Sequence, residues 1–364
     1  MKDNFNMSKL LRSNVARLDP YRSARDEFKG GNEPMVFLDA NENPYPNGVN
    51  RYPDPYQQDL KEVLSRLKDV HTSKILLGNG SDEVLDLLFR AFCEPGIDNI
   101  ITVPPSYGMY KVLAGINDIE NREVFLSPNF ELRVQEIVGA QDERSKLLFL
   151  CSPNNPTGNS FSEECILQLL NAFNGLVVID EAYIDFSEKE SWLKRLDQFP
   201  NLVIVQTLSK AYGLAGIRLG MCYASEAIIA VLHKIKPPYN VNELTQQRAM
   251  DRLLKTDEVN NEISCLLDAK EILYKQLLDI YFVSHVYTSD ANFILIKVDD
   301  ASKRYEQLIK AGVVVRDRSS QPLCENTLRI TVGTKTENEH LIAVLKTLYH
   351  EKESTIYRSR RDYY

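Results

Sequence analysis

Between Asp54 and Val70 the apolar residues Leu60, Val63, Leu64 and Leu67 recur every three or four positions, the spacing of one helix face. A short apolar run at 75–77 leads into Gly78-Asn79-Gly80-Ser81-Asp82. A helical run, EVLDLLFRAF, follows until Pro95-Gly96 ends it. Compact apolar blocks return at 99–103, 146–150, 176–179, 202–206 and 219–223, most of them separated by helix-like segments such as 161–173. Strands alternating with helices predict a mostly parallel sheet covered on both faces. The pattern changes after residue 256. One long helix is expected over 257–280. Strands near 292–298, 312–316 and 327–332 then alternate with helices near 301–311 and 336–350.

This reading gives an α/β chain with a large sheet domain over 31–256 and a smaller α+β domain over 257–350. Residues 1–30 are polar and mixed, an arm with a short helix expected to pack with the small domain. Residues 35–50 turn from a short apolar run into loop rich in Asn, Pro and Gly. The polar tail, 351–364, is read as disordered by default.

Composition narrows the function classes. A chain of 364 residues suits one large domain plus a smaller one. A net charge of −8 argues against nucleic-acid or anionic-membrane partners, which call for a basic face, but leaves room for a local phosphate pocket. Cys93, Cys151, Cys165, Cys222, Cys265 and Cys324 are scattered with no C-x-x-C spacing, as expected of reduced thiols. There is no apolar signal region at the start and no apolar run of about 18–20 residues, so a cytoplasmic location is expected. The five histidines show no ligand spacing, and no catalytic metal is expected.

Four motifs carry candidate chemistry. In Gly78-Asn79-Gly80-Ser81-Asp82, backbone N–H groups at a helix start bind phosphate and Ser81 adds a hydroxyl; plain N-capping by Ser81 or Asp82 fits as well. Glu83 occupies the position of the third Gly or Ala of a dinucleotide fingerprint. Ser152-Pro153-Asn154-Asn155-Pro156-Thr157-Gly158 follows a strand, where Asn155 offers an amide to a ligand oxygen; the alternative is a simple turn. Asp180-Glu181-Ala182-Tyr183 ends another strand. Asp180 there suits a protonated ring nitrogen and Tyr183 a ring oxygen, against helix capping by Asp180. In the run from Thr207 to Gly220, Lys210 can reach an aldehyde, Thr207 and Ser209 a phosphate, and Arg218 can neutralise it. A lone loop lysine is ordinarily a solvated charge. Jointly, these are the parts that a pyridoxal-phosphate (PLP) site needs.

The order G-N-G-S-D, S-P-N-N-P-T-G, D-E-A-Y, S-K-A-Y-G-L-A-G-I-R-L-G resembles the fold-type-I PLP-dependent aminotransferases. The segments LDPYRSARDE (18–27), DANENP (39–44), RYPD (51–54), KPPYNV (236–241) and LRITVGT (328–334) narrow the resemblance to the class II histidinol-phosphate aminotransferase family, over about residues 10 to 350. The resemblance implies Lys210 as the Schiff-base lysine and general base. It puts Asp180 at the pyridine nitrogen, Asn155 and Tyr183 at the ring oxygen, and Tyr107 stacked on the ring. Ser81, Asp82, Thr207, Ser209 and Arg218 hold the phosphate. Tyr52 reaches the phosphate of a neighbouring subunit, which implies a homodimer. Arg329 clamps the substrate α-carboxylate, and Arg316 and Tyr21 contact the substrate phosphate or a second carboxylate. Asn155 also faces the substrate.

The implied activity is reversible amino transfer between L-histidinol phosphate and 2-oxoglutarate, giving imidazole-acetol phosphate and glutamate in L-histidine biosynthesis. An aromatic or broad-specificity aminotransferase and an O-phospho-amino-acid decarboxylase stay open beside it. A nicotinamide-dependent dehydrogenase fails at Glu83 and gives Asp180 and Lys210 no task. A noncatalytic binding protein of the same fold leaves the intact set of chemical residues unexplained.

Overall fold

The computed structural model describes residues 6–20 and 35–361, with side chains described to residue 348. A seven-stranded sheet comprises β1 (Ile75–Asn79), β2 (Asn99–Thr102), β3 (Glu120–Glu123), β4 (Ser145–Cys151), β5 (Leu176–Asp180), β6 (Leu202–Thr207) and β7 (Leu219–Ala224), in the order β1-β7-β6-β5-β4-β2-β3. All pairings are parallel except those of β7, which runs antiparallel to β1 and β6. The reason lies in the connection. Parallel neighbours need a crossover, usually a helix, whereas β6 reaches β7 through the loop that carries Lys210 and returns directly.

The central strands are apolar along their length because both faces are covered. Leu148, Leu150, Val177, Ile179 and Ile204 enter one core, and Leu147, Phe149, Leu176, Val178 and Val203 enter the other. Polar β3 (ENRE) was not legible as a strand. It is an edge strand paired only with β2, where charged side chains remain in water.

A second, antiparallel sheet has the order β10-β11-β9-β8: β8 (Val283–Val286), β9 (Phe293–Val298), β10 (Arg316–Asp317) and β11 (Thr327–Thr331). The helix Thr256–Leu278 precedes it, and Ala301–Lys310 and Lys335–Arg361 pack on it. Its two faces differ in purpose. Ile294, Ile296, Leu328 and Ile330 form a core with these helices. On the opposite face Leu295 joins a core of the large sheet, and Phe293 packs with Tyr183, Phe186 and Ala211. The strand expected near 312–316 begins only at Arg316, because Gly312 sits in a turn at φ +82°.

Two expectations change. Of the arm, residues 6–20 are described, and these pack on the large domain: Leu10 and Val15 join the core around the helix Gly80–Phe92, and the Arg12 guanidinium donates to Arg90 O (3.1 Å). The last helix continues to Arg361, through most of the segment expected to be a disordered tail. The tail's Glu, Lys and Arg have high helix propensity, and an existing helix extends at little cost. Cys93, Cys151, Cys222 and Cys324 are buried and all six thiols are free. Among the described residues, no helix is long and apolar enough to cross a membrane.

Candidate active site

The turn after β1 and the carboxyl ends of β4, β5 and β6 converge on one cavity. Its lining is Ser81, Asp82, Tyr107, Cys151, Asn155, Asp180, Ala182, Tyr183, Thr207, Ser209, Lys210 and Arg218. All but Cys151 and Ala182 were singled out in the sequence.

At one end the helix Gly80–Phe92 starts directly from β1. Its N-cap is Asn79, which makes no side-chain capping bond, and Ser81 and Asp82 lie inside the helix, so their capping role falls away and the N–H groups of Ser81 and Asp82 point out of the first turn. Gly80 has φ +76° and donates its N–H to Arg218 O (2.8 Å). A Cβ here would lie 2.7 Å from Arg218 Nη2; one at Gly220 would lie 2.3 Å from Ser81 N. Only glycine at both positions lets the turn and the arginine come this close. Arg218 Nη2 lies 3.5 Å from Asp82 Oδ2. Thr207 Oγ1 accepts from Ser209 N (3.1 Å) and donates to Leu219 O (3.2 Å), so it shapes the loop. The Ser209 hydroxyl is buried with no partner. Cations, free helix N–H groups and an orphan hydroxyl together form a socket for a phosphate.

At the other end Asp180 closes β5, 3% exposed. Oδ2 accepts from the Tyr110 hydroxyl (2.8 Å) and Oδ1 from Ala182 N (3.1 Å). Burial dominates over these bonds and raises its pKa from 3.8 to about 6. Among the described residues no cation is within ion-pair distance of this carboxylate, Lys210 acting on it only from across the cavity, and a protonated ring nitrogen would fit that place. Asn155 Nδ2 donates to the Tyr183 hydroxyl (3.3 Å), and both face the cavity. Burial pushes the Tyr183 hydroxyl up, so it keeps its proton. Tyr107 forms one wall, its hydroxyl donating to Asp82 Oδ1 (3.0 Å).

Lys210 lies between the two ends, its Nζ 5.7 Å from the centre of the Tyr183 ring. Burial first, and the charge of Arg329 second, lower its pKa, against the pull of Asp180. The amine is thereby moved towards the neutral form that attacks a carbonyl.

The motif neighbours of these residues hold the frame. Asn154 donates to Pro105 O (2.9 Å) and to Thr157 Oγ1 (2.7 Å), which fixes the loop that presents Asn155. Glu181 turns away from the cavity and accepts from Ser191 Oγ, Trp192 N and Gln206 Nε2 at 2.6–2.8 Å.

The remaining candidates separate. Arg329 Nη1 donates to Asn155 Oδ1 (2.5 Å), and its guanidinium lies 5.1 Å from the Phe293 ring centre. Burial, with Arg318 and Arg316 adding to it, lowers its pKa to about 10. Arg316 sits opposite Arg329 in the β10–β11 register and is exposed. Tyr52 is away from this cavity: it is half exposed and stacks on Tyr239 at 4.5 Å. Tyr21 lies outside the described residues. The sequence reading missed Tyr110, Cys151 and Arg318. Each had a faint signal: Tyr110 stands one helical turn after Tyr107, Cys151 precedes the S-P-N-N motif, and Arg318 alternates with Arg316.

Fold and site together define a lysine-bearing transferase of the α/β class. The chain belongs to the aminotransferase class I and II family, whose model matches residues 27–345. It is 63% identical to the histidinol-phosphate aminotransferase of Flavobacterium johnsoniae, over 95% of this chain and 99% of that protein. Its fold matches the histidinol-phosphate aminotransferase of Clostridium acetobutylicum, with a TM-score of 0.78 and 22% identity over 83% of this chain and 92% of that one. The enzyme of that name from Sinorhizobium meliloti, solved in complex with pyridoxal-5'-phosphate, gives a TM-score of 0.75 at 22% identity, over 82% and 83%.

Proposed function

We propose that this aminotransferase uses PLP and moves an amino group between L-histidinol phosphate and 2-oxoglutarate, a step of L-histidine biosynthesis. The observation that carries the reading is the single cavity that holds Lys210, Asp180 and the orphan Ser209 hydroxyl together. The 63% identity to a histidinol-phosphate aminotransferase over nearly the whole chain selects the substrate.

When bound, PLP supplies an electron sink for the pair released at the substrate α-carbon. Lys210 would hold the cofactor through Nζ and, once freed by the substrate amine, that same atom would take the substrate α-proton as general base. Asp180 keeps the proton on the ring nitrogen, and Tyr110 holds the carboxylate in place. Asn155 and Tyr183 donate to the ring oxygen. Ser81, Asp82, Ser209 and Arg218 take the phosphate, with Thr207 setting the loop. Tyr107 covers the ring. Arg329 takes a carboxylate of glutamate or 2-oxoglutarate, and Arg316 and Tyr21 serve the substrate's second anion.

The reading includes a homodimer in which Tyr52 completes the partner's phosphate site. It is supported by the exposure of Tyr52 and of its apolar neighbours Val36, Leu38, Tyr45 and Val49. It also includes a division into a large domain, 31–256, and a small one, 257–350, and a cytoplasmic location. The two sheets fall on either side of that division.

Transamination of histidinol phosphate with 2-oxoglutarate, measured beside phenylalanine, tests the substrate; a strong preference for phenylalanine overturns it. Release of carbon dioxide from an O-phospho amino acid, with no oxo product, favours the decarboxylase. Lys210→Ala is expected to lose the visible absorption band that borohydride removes, together with the activity. Wild-type rates in that variant sink the assignment.

A further inference from the structure

The antiparallel sheet brings an arginine to the site that the roles above leave unused. β11 alternates: Leu328 and Ile330 enter the sheet's own core, so Thr327, Arg329 and Thr331 face the other way. Arg316 is paired opposite Arg329. Arg318 donates its backbone N–H to Thr327 O (3.0 Å), which continues the same register by one pair beyond Asp317 and Leu328. Residues two apart on a strand share a face. Arg316, Arg318 and Arg329 therefore stand on one side of the sheet, the side that packs Phe293 against Tyr183.

These guanidiniums lack acids. Elsewhere Arg218, Arg252 and Arg304 have carboxylate partners. Among the described residues, Arg316, Arg318 and Arg329 have none. Arg318 Nε and Arg329 Nε are both buried without a hydrogen-bond acceptor. The charge of Arg318 is felt at Tyr183, inside the cofactor cavity, as well as at Arg329. The turn that follows Arg318 walls a cavity of about 360 Å³ at Ser320, Gln321 and Pro322, and Tyr107 is common to this cavity and the cofactor's. Three like charges brought together, two with buried orphan donors, amount to a site designed for more than one negative charge.

We infer that Arg318 is a specificity-determining residue: with Arg316 and Arg329 it forms a three-guanidinium pocket that favours a dianionic phosphate monoester over a single carboxylate. The inference rests on the proposed amino transfer for the identity of the phosphate ester, not for the pocket. A monoester carries close to two charges at neutral pH and three acceptor oxygens, against one charge and two oxygens for a carboxylate. A third guanidinium therefore gains more from the phosphate end of one substrate than from the carboxylate end of the other.

The test uses the holoenzyme, with Arg318→Gln and Arg318→Lys beside the wild type. Arg318→Gln is expected to raise KM for histidinol phosphate by about ten- to a hundredfold, the range for one charge-assisted hydrogen bond. KM for glutamate should rise at least threefold less, and kcat for histidinol phosphate should move less than KM. Arg318→Lys should recover part of the loss. Inorganic phosphate, as a competitive inhibitor of the glutamate reaction, should inhibit Arg318→Gln about tenfold less strongly than the wild type. Equal losses for both substrates, a fall in kcat alone, a lysine variant no better than glutamine, or unchanged inhibition by phosphate each overturn the inference. A wild type inactive on histidinol phosphate overturns the substrate reading instead, and the phosphate-inhibition comparison still decides the role of Arg318.

Discussion

Replacing Asp180 by asparagine is expected to stabilise the cofactor-free protein at pH 8 relative to pH 5 while removing most of the activity of the PLP-loaded enzyme. Asp180 is buried, and burial raises its pKa from 3.8 to about 6. The folded chain thus holds this proton more tightly than the unfolded one. Stability from the group is fully present below pH 3.8 and is lost as pH rises through about 6. The complete loss is about 3 kcal/mol at ~1.4 kcal/mol per tenfold change in proton affinity, and about 1.4 kcal/mol of it falls between pH 5 and pH 8. Asparagine has no such proton. It keeps one acceptor for the two donors, Tyr110 OH and Ala182 N–H, a difference that is nearly the same at both pH values and cancels when they are compared. Urea unfolding of both proteins at pH 5 and pH 8 measures the effect. The change in stability on substitution should be about 1.4 kcal/mol more favourable at pH 8. A difference of zero, or of opposite sign, refutes the claim that burial outweighs the partners of the carboxylate at the end of β5. Amino transfer by the variant should fall at least about a hundredfold, as loss of a preorganised electrostatic partner does.

The same proton predicts the pH dependence of cofactor binding. Apparent affinity for PLP, followed by absorbance, should fall as pH drops through about 6, because protonated Asp180 no longer balances a protonated ring; a flat profile from pH 7 to pH 5 contradicts this. Tyr110→Phe removes the hydroxyl from Asp180 Oδ2 and should cost about 1.5–3 kcal/mol in kcat/KM, roughly ten- to a hundredfold, with the low-pH limb of the profile moved upward. Gly80→Ala places a Cβ 2.7 Å from Arg218 Nη2 at φ +76°. It should lower stability by about 1 kcal/mol in thermal unfolding and weaken PLP binding as Arg218 shifts; a variant equal to wild type in both refutes the close-approach argument.

The cofactor end of the site was legible because its parts are local. Each of Ser81, Asn155, Asp180 and Lys210 lies at or just past the end of a strand, so an apolar run followed by a polar motif marks the spot. Tyr110 was not legible. Its hydroxyl reaches Asp180 across seventy residues of sequence, and a tyrosine in a helical run reads as core. Tyr52 illustrates a different limit: its implied role depends on a second subunit, and within one chain its ring stacks on Tyr239. The described part of the arm and the tail differ from expectation for opposite reasons. The arm is held by a few apolar anchors, Leu10 and Val15, hidden in a polar stretch, while the tail's polarity concealed residues that extend a helix. Polar β3 escaped because an edge strand need not alternate.

The two sheets divide the chemistry by the way each is packed. Strands of the large sheet are buried on both faces, so only their ends offer polar groups, and those ends converge on one cavity. The antiparallel sheet keeps one face for its own core and turns the other towards the cofactor, so any residue at Arg316, Arg318 or Arg329 in register can change what is recognised without disturbing Leu328 or Ile330. Substitution of Arg316, the exposed member of that face, should therefore alter the preference between phosphate and carboxylate substrates while leaving the unfolding free energy within about 0.5 kcal/mol, the usual range for a surface position. Substitutions at Leu328 or Ile330 should do the reverse, costing about 2–5 kcal/mol on truncation to alanine with substrate preference retained in the folded fraction. Paired measurements of unfolding and of the ratio of kcat/KM values separate the two faces. A loss of preference at Leu328 equal to that at Arg318 would refute the division.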